Sequence, residues 1–151
     1  MAVAYELGLP FYRWNIRSTA KAQEGLYEYD AILRLHDVQT QKLETDENKN
    51  PRNPSNPQDY RTFGAIGNAF RSKDCPAVVL IDEIDKADVD FPNDLLTVLD
   101  EPWEFKIRET GETISAETDC QPIVIITSNK EKGNLPAPFL RRCLLYTSDA
   151  A

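Results

Sequence analysis

Two continuous apolar runs dominate the pattern of hydrophobic and polar positions along the chain. Residues 78–81, VVLI, and residues 123–126, IVII, contain no polar position, which is the pattern of strands buried on both faces of a parallel sheet. Residues 11–16, FYRWNI, alternate and are rich in aromatic and β-branched side chains, so they predict another strand. Segments with helical spacing separate these strands. The alternation of strands and helices along the chain predicts an α/β protein in which helices flank a parallel sheet.

Apolar residues at spacings of three and four predict the helices. We expect helices over about residues 26–43, over residues 63–70, after Asp90 and Pro92, and just before Arg141 and Arg142. The first segment of the chain, MAVAYELGLP, predicts the end of a further helix, because Gly8 suits a left-handed C-cap and Pro10 cannot continue a helix. This helix has no first turn, so we expect the protein to begin upstream of Met1.

Two other segments carry turn signals. WEFKIRETGETI, residues 103–114, alternates apolar and polar residues around Thr110 and Gly111, so it predicts a β-hairpin. Residues 44–59 contain three prolines, four asparagines and no large apolar residue, so we expect an exposed, mobile loop. Whether that loop serves as a pore loop, a partner-binding loop or a plain linker stays open.

Composition narrows the class of protein without defining a function. The 151 residues are 41% hydrophobic, and 17 basic against 25 acidic residues give a net charge of −8, which disfavours general binding to a phosphate backbone. The three cysteines lack CxxC spacing and His36 is the single histidine, so neither a disulfide framework nor a zinc site is indicated. The sequence contains no apolar run near the ~20 residues that span a bilayer and no signal-peptide pattern. We expect a cytoplasmic protein without a membrane span.

Polar residues follow both apolar runs. Asp82 and Glu83 follow the first run, and Ser128 and Asn129 follow the second after one threonine. The carboxyl ends of adjacent parallel strands meet at one rim of a sheet, so we expect these groups to lie close together. Asp82 is a candidate ligand of Mg²⁺ through water. Glu83 is a candidate base for a water that attacks a γ-phosphate, and Asn129 a group that positions that water.

A pair of arginines completes the candidate chemistry. Arg141 or Arg142 would place a fixed positive charge against the negative charge that develops in phosphoryl transfer.

The motifs resemble, in their order along the chain, the core of an AAA+ ATPase, and more narrowly the MoxR-like branch of that family. VVLIDEID resembles the Walker B strand, IVIITSN the sensor 1 strand, and FLRRC the arginine-finger segment. AKAQEGLYEYDA resembles the helix 2 insertion of the branch, and EFKIRETGETI resembles its β-hairpin before sensor 1. The resemblance covers nearly all of residues 2–143 and implies a partial P-loop NTPase fold.

The resemblance also implies a function. It implies hydrolysis of ATP, with ATP and Mg²⁺ as cofactors, in a homo-oligomeric ring of six subunits that remodels a protein substrate or a von Willebrand A-type partner. Asp82 would hold Mg²⁺ through water, Glu83 and Asn129 would be catalytic, and either Arg141 or Arg142 would be the arginine finger. The substrate, the ring size and the choice between the two arginines stay open.

Two parts of the family pattern are absent from the sequence. The six glycines nowhere form the phosphate-binding loop GxxxxGK[ST], which would precede the first helix. The lid that carries sensor 2 would follow Cys143. We therefore expect residues 1–143 to be a partial core that is inactive alone, and residues 144–151 to be a non-native tail, since they resemble a translated sequencing adapter.

Simpler interpretations stay open for each motif. An acidic pair after a strand can be a solvated turn, Asn129 can be a turn residue, and two arginines can end a helix. We expect Asp85 and Lys86 to be surface ions. The alternative functions are a nucleotide-independent interaction module on a degenerate AAA+ scaffold, and a subunit of a nucleic-acid motor or restriction enzyme. The second alternative predicts a basic stripe, which the charge of −8 argues against.

Overall fold

A computed structural model describes residues 1–41, 52–129 and 135–144. Its helices and strands, in chain order, are α1 (Ala2–Leu7), β1 (Phe11–Asn15), β2 (Tyr27–Tyr29), α2 (Ala31–Gln41), β3 (Arg61–Phe63), α3 (Ala65–Phe70), β4 (Val78–Asp82), α4 (Phe91–Val98), β5 (Glu104–Lys106), β6 (Thr113–Ser115), β7 (Ile123–Ile126) and α5 (Ala137–Arg142). Short 3₁₀ turns cover Ala22–Gly25, Pro57–Tyr60, Ile84–Lys86 and Thr118–Cys120.

Three parallel strands form the central sheet, in the order β1, β4, β7. Asn15 at the end of β1 pairs with Asp82 at the end of β4, and Ile81 pairs with Ile126 of β7. Val78 and Ile81 are fully buried in the central strand β4. The prediction of an α/β protein with a parallel sheet flanked by helices is confirmed.

Aromatic contacts join the helices on this sheet to the β5–β6 hairpin. Phe70 of α3 is 1% exposed, and its ring lies 5.7 Å from the Phe105 ring and 6.1 Å from the Trp103 ring. Ile66 of α3 and Leu95 of α4 are fully buried in the same core. Since burying one such side chain stabilises a fold by about 1.5–3 kcal/mol, the hairpin is an integral part of the core.

The predicted hairpin is confirmed as the antiparallel pair β5–β6. Gly111 in its turn has a φ of 73°, a conformation that side chains rarely adopt, which explains the turn signal in the sequence. Phe105 and Ile107 face inward, at 8% and 0% exposure. The C-cap at the end of α1 is confirmed too, since Gly8 has a φ of 64°.

The expected helix over residues 26–43 is wrong at its beginning. Residues 27–29 form strand β2, which pairs antiparallel with β3, and helix α2 begins only at Ala31. Asp30 marks the boundary, because its carboxylate accepts a hydrogen bond from the Leu33 amide at 2.8 Å, as an N-cap residue does. Residues 42 and 43 lie outside the described residues.

Close packing against α3 explains why this segment is a strand. The Gly64 amide donates to the Leu26 carbonyl at 3.0 Å, and a Cβ atom at Gly67 would lie 1.9 Å from that carbonyl oxygen. Tyr27 is 3% exposed and its ring stacks on Phe105 at 6.1 Å. These contacts exist only in the folded chain, and they override the helical spacing of the apolar residues.

Of the expected loop, residues 52–59 are described and are mostly exposed or half-buried, with contacts to α2, and residues 44–51 lie outside the described residues. The Asp37 carboxylate is buried and accepts hydrogen bonds from the Tyr60 hydroxyl at 2.8 Å and from Nε of Arg52 at 3.0 Å. Pro54 is buried as well. Hydrogen bonds to a buried carboxylate anchor the segment, although its composition is typical of a linker.

Strand β7 is less buried than its sequence predicts. Ile123 is 40% exposed, and the other residues of the strand are partly buried. β7 pairs with β4 on one side, and no strand of the described ranges pairs with its other edge. The prediction of a strand is therefore confirmed for both apolar runs, whereas full burial is wrong for β7.

The remaining helix predictions are confirmed with small shifts. The helix expected over residues 63–70 begins at Ala65, because Phe63 belongs to β3. Helices α4 and α5 form where Pro92 and the arginine pair predict them. Within the described ranges, no helix has the length and apolar character that crossing a membrane requires. Of the expected non-native tail, only Leu144 is described, and it is 89% exposed.

Candidate functional site

Asp82 is the last residue of β4, at the rim where the ends of β4 and β7 lie side by side. Its Oδ1 accepts a hydrogen bond from the Thr127 hydroxyl at 2.6 Å, and its Oδ2 pairs with the Arg13 guanidinium. The Thr127 hydrogen bond, and after it the Arg13 contact, lower the pKa of Asp82. The carboxylate is therefore ionised at neutral pH and is held from both neighbouring strands.

Glu83 turns the chain sharply at the end of β4. Its φ of 61° and ψ of 53° lie in the left-handed region, which is uncommon for a residue other than glycine. Its amide donates to Oγ1 of Thr127 at 2.9 Å. Its carboxylate pairs with Lys86, and that contact raises the pKa of Lys86. The Glu83 side chain is 50% exposed, so a bound substrate could reach it from solvent.

Asn129 is joined to the turn that follows β4. The backbone amide of Asn129 donates a hydrogen bond to Oδ1 of Asp85 at 2.9 Å. The Ile84 backbone amide donates to the Thr127 carbonyl at 3.0 Å. Asp85, expected to be a surface ion, is half-buried, and its carboxylate links the two strand ends. Ser128 lies between the linked residues and is exposed.

The two arginines of α5 have different environments. Arg142 forms an ion pair with Asp100, just after α4, and this contact lowers the pKa of Asp100. Arg141 is exposed and forms no ion pair with any residue in the described part of the chain. Phe139, at 1% exposure, anchors the helix on the core. Neither arginine forms an ion pair with the acidic residues of the rim.

Sequence reasoning placed Asp82, Glu83 and Asn129 at one rim, and the structure brings them together, but it missed the side chains that hold them. Thr127 contacts the first two, and Arg13 contacts Asp82. The position of Thr127, directly after an apolar strand, was a usable signal. No local signal distinguishes Arg13, because an arginine on an alternating strand is ordinary.

A cavity of about 560 Å³ lies beside the rim. Its lining includes Arg13, Asn15, Arg17, Glu24 and Glu28 but neither acidic residue of the rim. Arg13 is therefore the side chain that faces both the cavity and Asp82.

The rim fits a magnesium ion only in part. Among the described residues, no three His, Cys, Asp or Glu side chains come together as a metal-binding group. Mg²⁺ can bind through one carboxylate if water and substrate phosphates complete its coordination, so the chemistry of Asp82 is suitable. Both oxygens of Asp82 already have partners, however. A metal ion that approaches Oδ2 would therefore meet the positive charge of Arg13.

Comparison of the chain with models of known protein families finds no match, and comparison with curated proteins finds no significant match. The fold and the rim therefore define the class on their own. The chain is an α/β protein whose parallel sheet carries an acidic pair and an asparagine at the carboxyl ends of neighbouring strands.

Proposed function

We propose that this chain is part of the core of an AAA+ ATPase of the MoxR-like branch, which hydrolyses ATP within a homo-oligomeric ring and remodels a protein partner. One observation carries the proposal. The Thr127 hydroxyl donates a hydrogen bond to the Asp82 carboxylate and accepts one from the Glu83 backbone amide, so it joins the ends of two parallel strands. It supports the proposal because phosphoryl transfer depends on groups held in fixed positions, and strand ends in open α/β sheets are where such groups act.

In this proposal the rim residues act on the water that attacks the γ-phosphate. Glu83 would accept its proton or orient it, after releasing the contact with Lys86. The Asn129 side chain would hold the same water, with its backbone positioned by Asp85. Mg²⁺, when bound, would neutralise charge on the phosphates, and Asp82 would hold it through water.

The arginine-finger role goes to Arg141 in this proposal. Arg142 is already paired with Asp100 and holds α5 against α4. Arg141 is exposed, so it can extend toward a nucleotide bound to the neighbouring subunit. An arginine supplied in this way can accelerate phosphoryl transfer by ~10³–10⁵.

The alternative is an interaction module that has the α/β scaffold and binds no nucleotide. The gene sequence upstream of Met1 distinguishes the two functions. An in-frame GxxxxGK[ST] supports the ATPase, because its backbone amides and lysine bind the β and γ phosphates. A stop codon directly upstream supports the interaction module.

Subunit mixing tests the catalytic roles in the intact protein. A Glu83→Gln subunit lacks the base but keeps the arginines, and an Arg141→Ala subunit keeps the base. We expect each variant alone to form rings that lose most hydrolysis, by ~10²–10⁴-fold for the missing base. Mixed rings place an intact Arg141 against an intact Glu83 at some interfaces, so hydrolysis should return.

Two controls make the mixing test decisive. Native mass spectrometry must show that the rings exchange subunits. Arg142→Ala serves as the matched variant, because we expect it to weaken the Asp100 contact and to leave more hydrolysis than Arg141→Ala. If mixed rings form and stay inactive, the role of Arg141 across the interface is wrong. If Glu83→Gln rings hydrolyse ATP normally, the catalytic role of Glu83 is wrong.

A further inference from the structure

A cationic side chain already occupies the carboxylate that the proposed site would offer to a metal ion. The Arg13 guanidinium contacts Oδ2 of Asp82, and Nε of Arg13 donates to Oδ1 of Asn15 at 2.9 Å. Arg13 and Asn15 lie two residues apart on β1 and so share one face of the sheet. Asn15 is also the register partner of Asp82. The guanidinium is therefore oriented by an asparagine and a carboxylate on adjacent strands.

This arrangement opposes the binding of a second cation. The Thr127 hydroxyl occupies Oδ1 of Asp82, and Arg13 occupies Oδ2, so both oxygens are engaged. A divalent cation at this carboxylate, or a water bound to that cation, would occupy the same space as the Arg13 guanidinium. The positive charges of the cation and of Arg13 also repel each other. The Arg13 side chain is 55% exposed, so it can leave Asp82 without losing much packing.

The neighbouring cavity offers Arg13 a second position. Arg13 lines the cavity of about 560 Å³ together with Glu24 and Glu28, whose carboxylates carry the opposite charge. A guanidinium that leaves Asp82 can therefore stay near negative charge in this cavity.

We propose that Arg13 is a displaceable counter-ion of Asp82. A divalent cation that binds at the rim of β1 and β4 ejects the guanidinium, so the rim alternates between an arginine-bound and a metal-bound state. The inference rests on the proposed function in one respect, namely that a metal ion binds at Asp82. Arg13 lies outside the strand-end motifs, and in this proposal it controls when a metal ion binds at Asp82.

The test uses the 151-residue chain with Mn²⁺ alone. Mn²⁺ broadens NMR signals of nearby amides, so a titration followed at Glu83 and Thr127 measures binding at the rim. We expect Arg13→Gln to bind Mn²⁺ about tenfold more tightly than the unaltered chain, a fold-change equivalent to ~1.4 kcal/mol, because no guanidinium has to be displaced. Arg13→Lys keeps a positive charge, so its Mn²⁺ affinity should lie between those of Arg13→Gln and the unaltered chain. Arg17→Gln removes an equal charge from the same cavity wall and should change the affinity by less than about twofold.

Two further measurements separate displacement from a general charge effect. Adding Asp82→Asn to Arg13→Gln should remove the gain in Mn²⁺ affinity. In the unaltered chain, saturating Mg²⁺ should shift the Nε–H signal of Arg13, as its partners change. Circular dichroism confirms that each variant is folded.

The inference is overturned if Arg13→Gln and the unaltered chain bind Mn²⁺ equally, or if the gain survives Asp82→Asn. No ATP is present, so the result is independent of hydrolysis. Displacement of Arg13 combined with an intact protein that hydrolyses no ATP would refute the ATPase alone. Successful mixing combined with unchanged Mn²⁺ affinity would refute the role of Arg13 alone.

Discussion

The left-handed backbone at Glu83 makes a prediction about stability that is the reverse of the usual rule. Glycine in place of alanine normally lowers the stability of a folded segment by roughly 0.5–1 kcal/mol, because glycine loses more backbone entropy on folding. At position 83 the φ of 61° costs a side-chain-bearing residue roughly 1–2 kcal/mol, which glycine avoids. Glu83→Gly should therefore be more stable than Glu83→Ala by about 0.5–1 kcal/mol.

The comparison isolates the backbone, because both variants lose the same carboxylate and the same contact with Lys86. Urea unfolding of the 151-residue chain measures the difference, which corresponds to a Tm change of roughly 1–4 °C for a protein of this size. Lys86, which lies in the 3₁₀ turn, provides the matched control. At that position we expect Lys86→Ala to be more stable toward urea than Lys86→Gly. If Glu83→Ala equals or exceeds Glu83→Gly, the chain does not turn through a left-handed residue at the end of β4, and the reasoning about the rim geometry fails.

Two further predictions follow from packing and charge. Gly67→Ala should destabilise the chain by about 1–3 kcal/mol, as overpacking does, because the new Cβ would lie 1.9 Å from the Leu26 carbonyl oxygen. Urea unfolding measures this change, and a variant as stable as the parent would contradict this packing. Since the pKa of Asp100 is lowered in the folded chain, its carboxylate stabilises the fold above its unfolded pKa of ~3.9, and this contribution is lost as the pH falls through the folded value. An NMR titration should show that Arg142→Ala returns the pKa of Asp100 toward its usual range, whereas Arg141→Ala leaves it lowered; equal effects would refute the separate roles of the two arginines.

The sequence by itself determined the strands of the central sheet and the place where the candidate chemistry gathers. Uninterrupted apolar runs predict β4 and β7, because a parallel strand is covered on its faces by helices and tolerates few polar side chains there. Asp82 and Asn129 follow those runs, and parallel strands align their carboxyl ends at one rim, so the meeting of these residues was predictable. Gly8 and Gly111 marked a helix end and a turn because their backbone conformations favour glycine.

Only the tertiary structure decided strand β2 and the partners of the rim residues. The spacing of Leu26, Tyr29 and Leu33 is helical, yet pairing with β3 and packing against α3 hold the first part of that segment extended. Periodicity reports which face of one segment is apolar, whereas this pairing joins segments that are far apart in the sequence. The same reason applies to Arg13 and Thr127: their hydrogen bonds to Asp82 exist only once β1, β4 and β7 lie side by side.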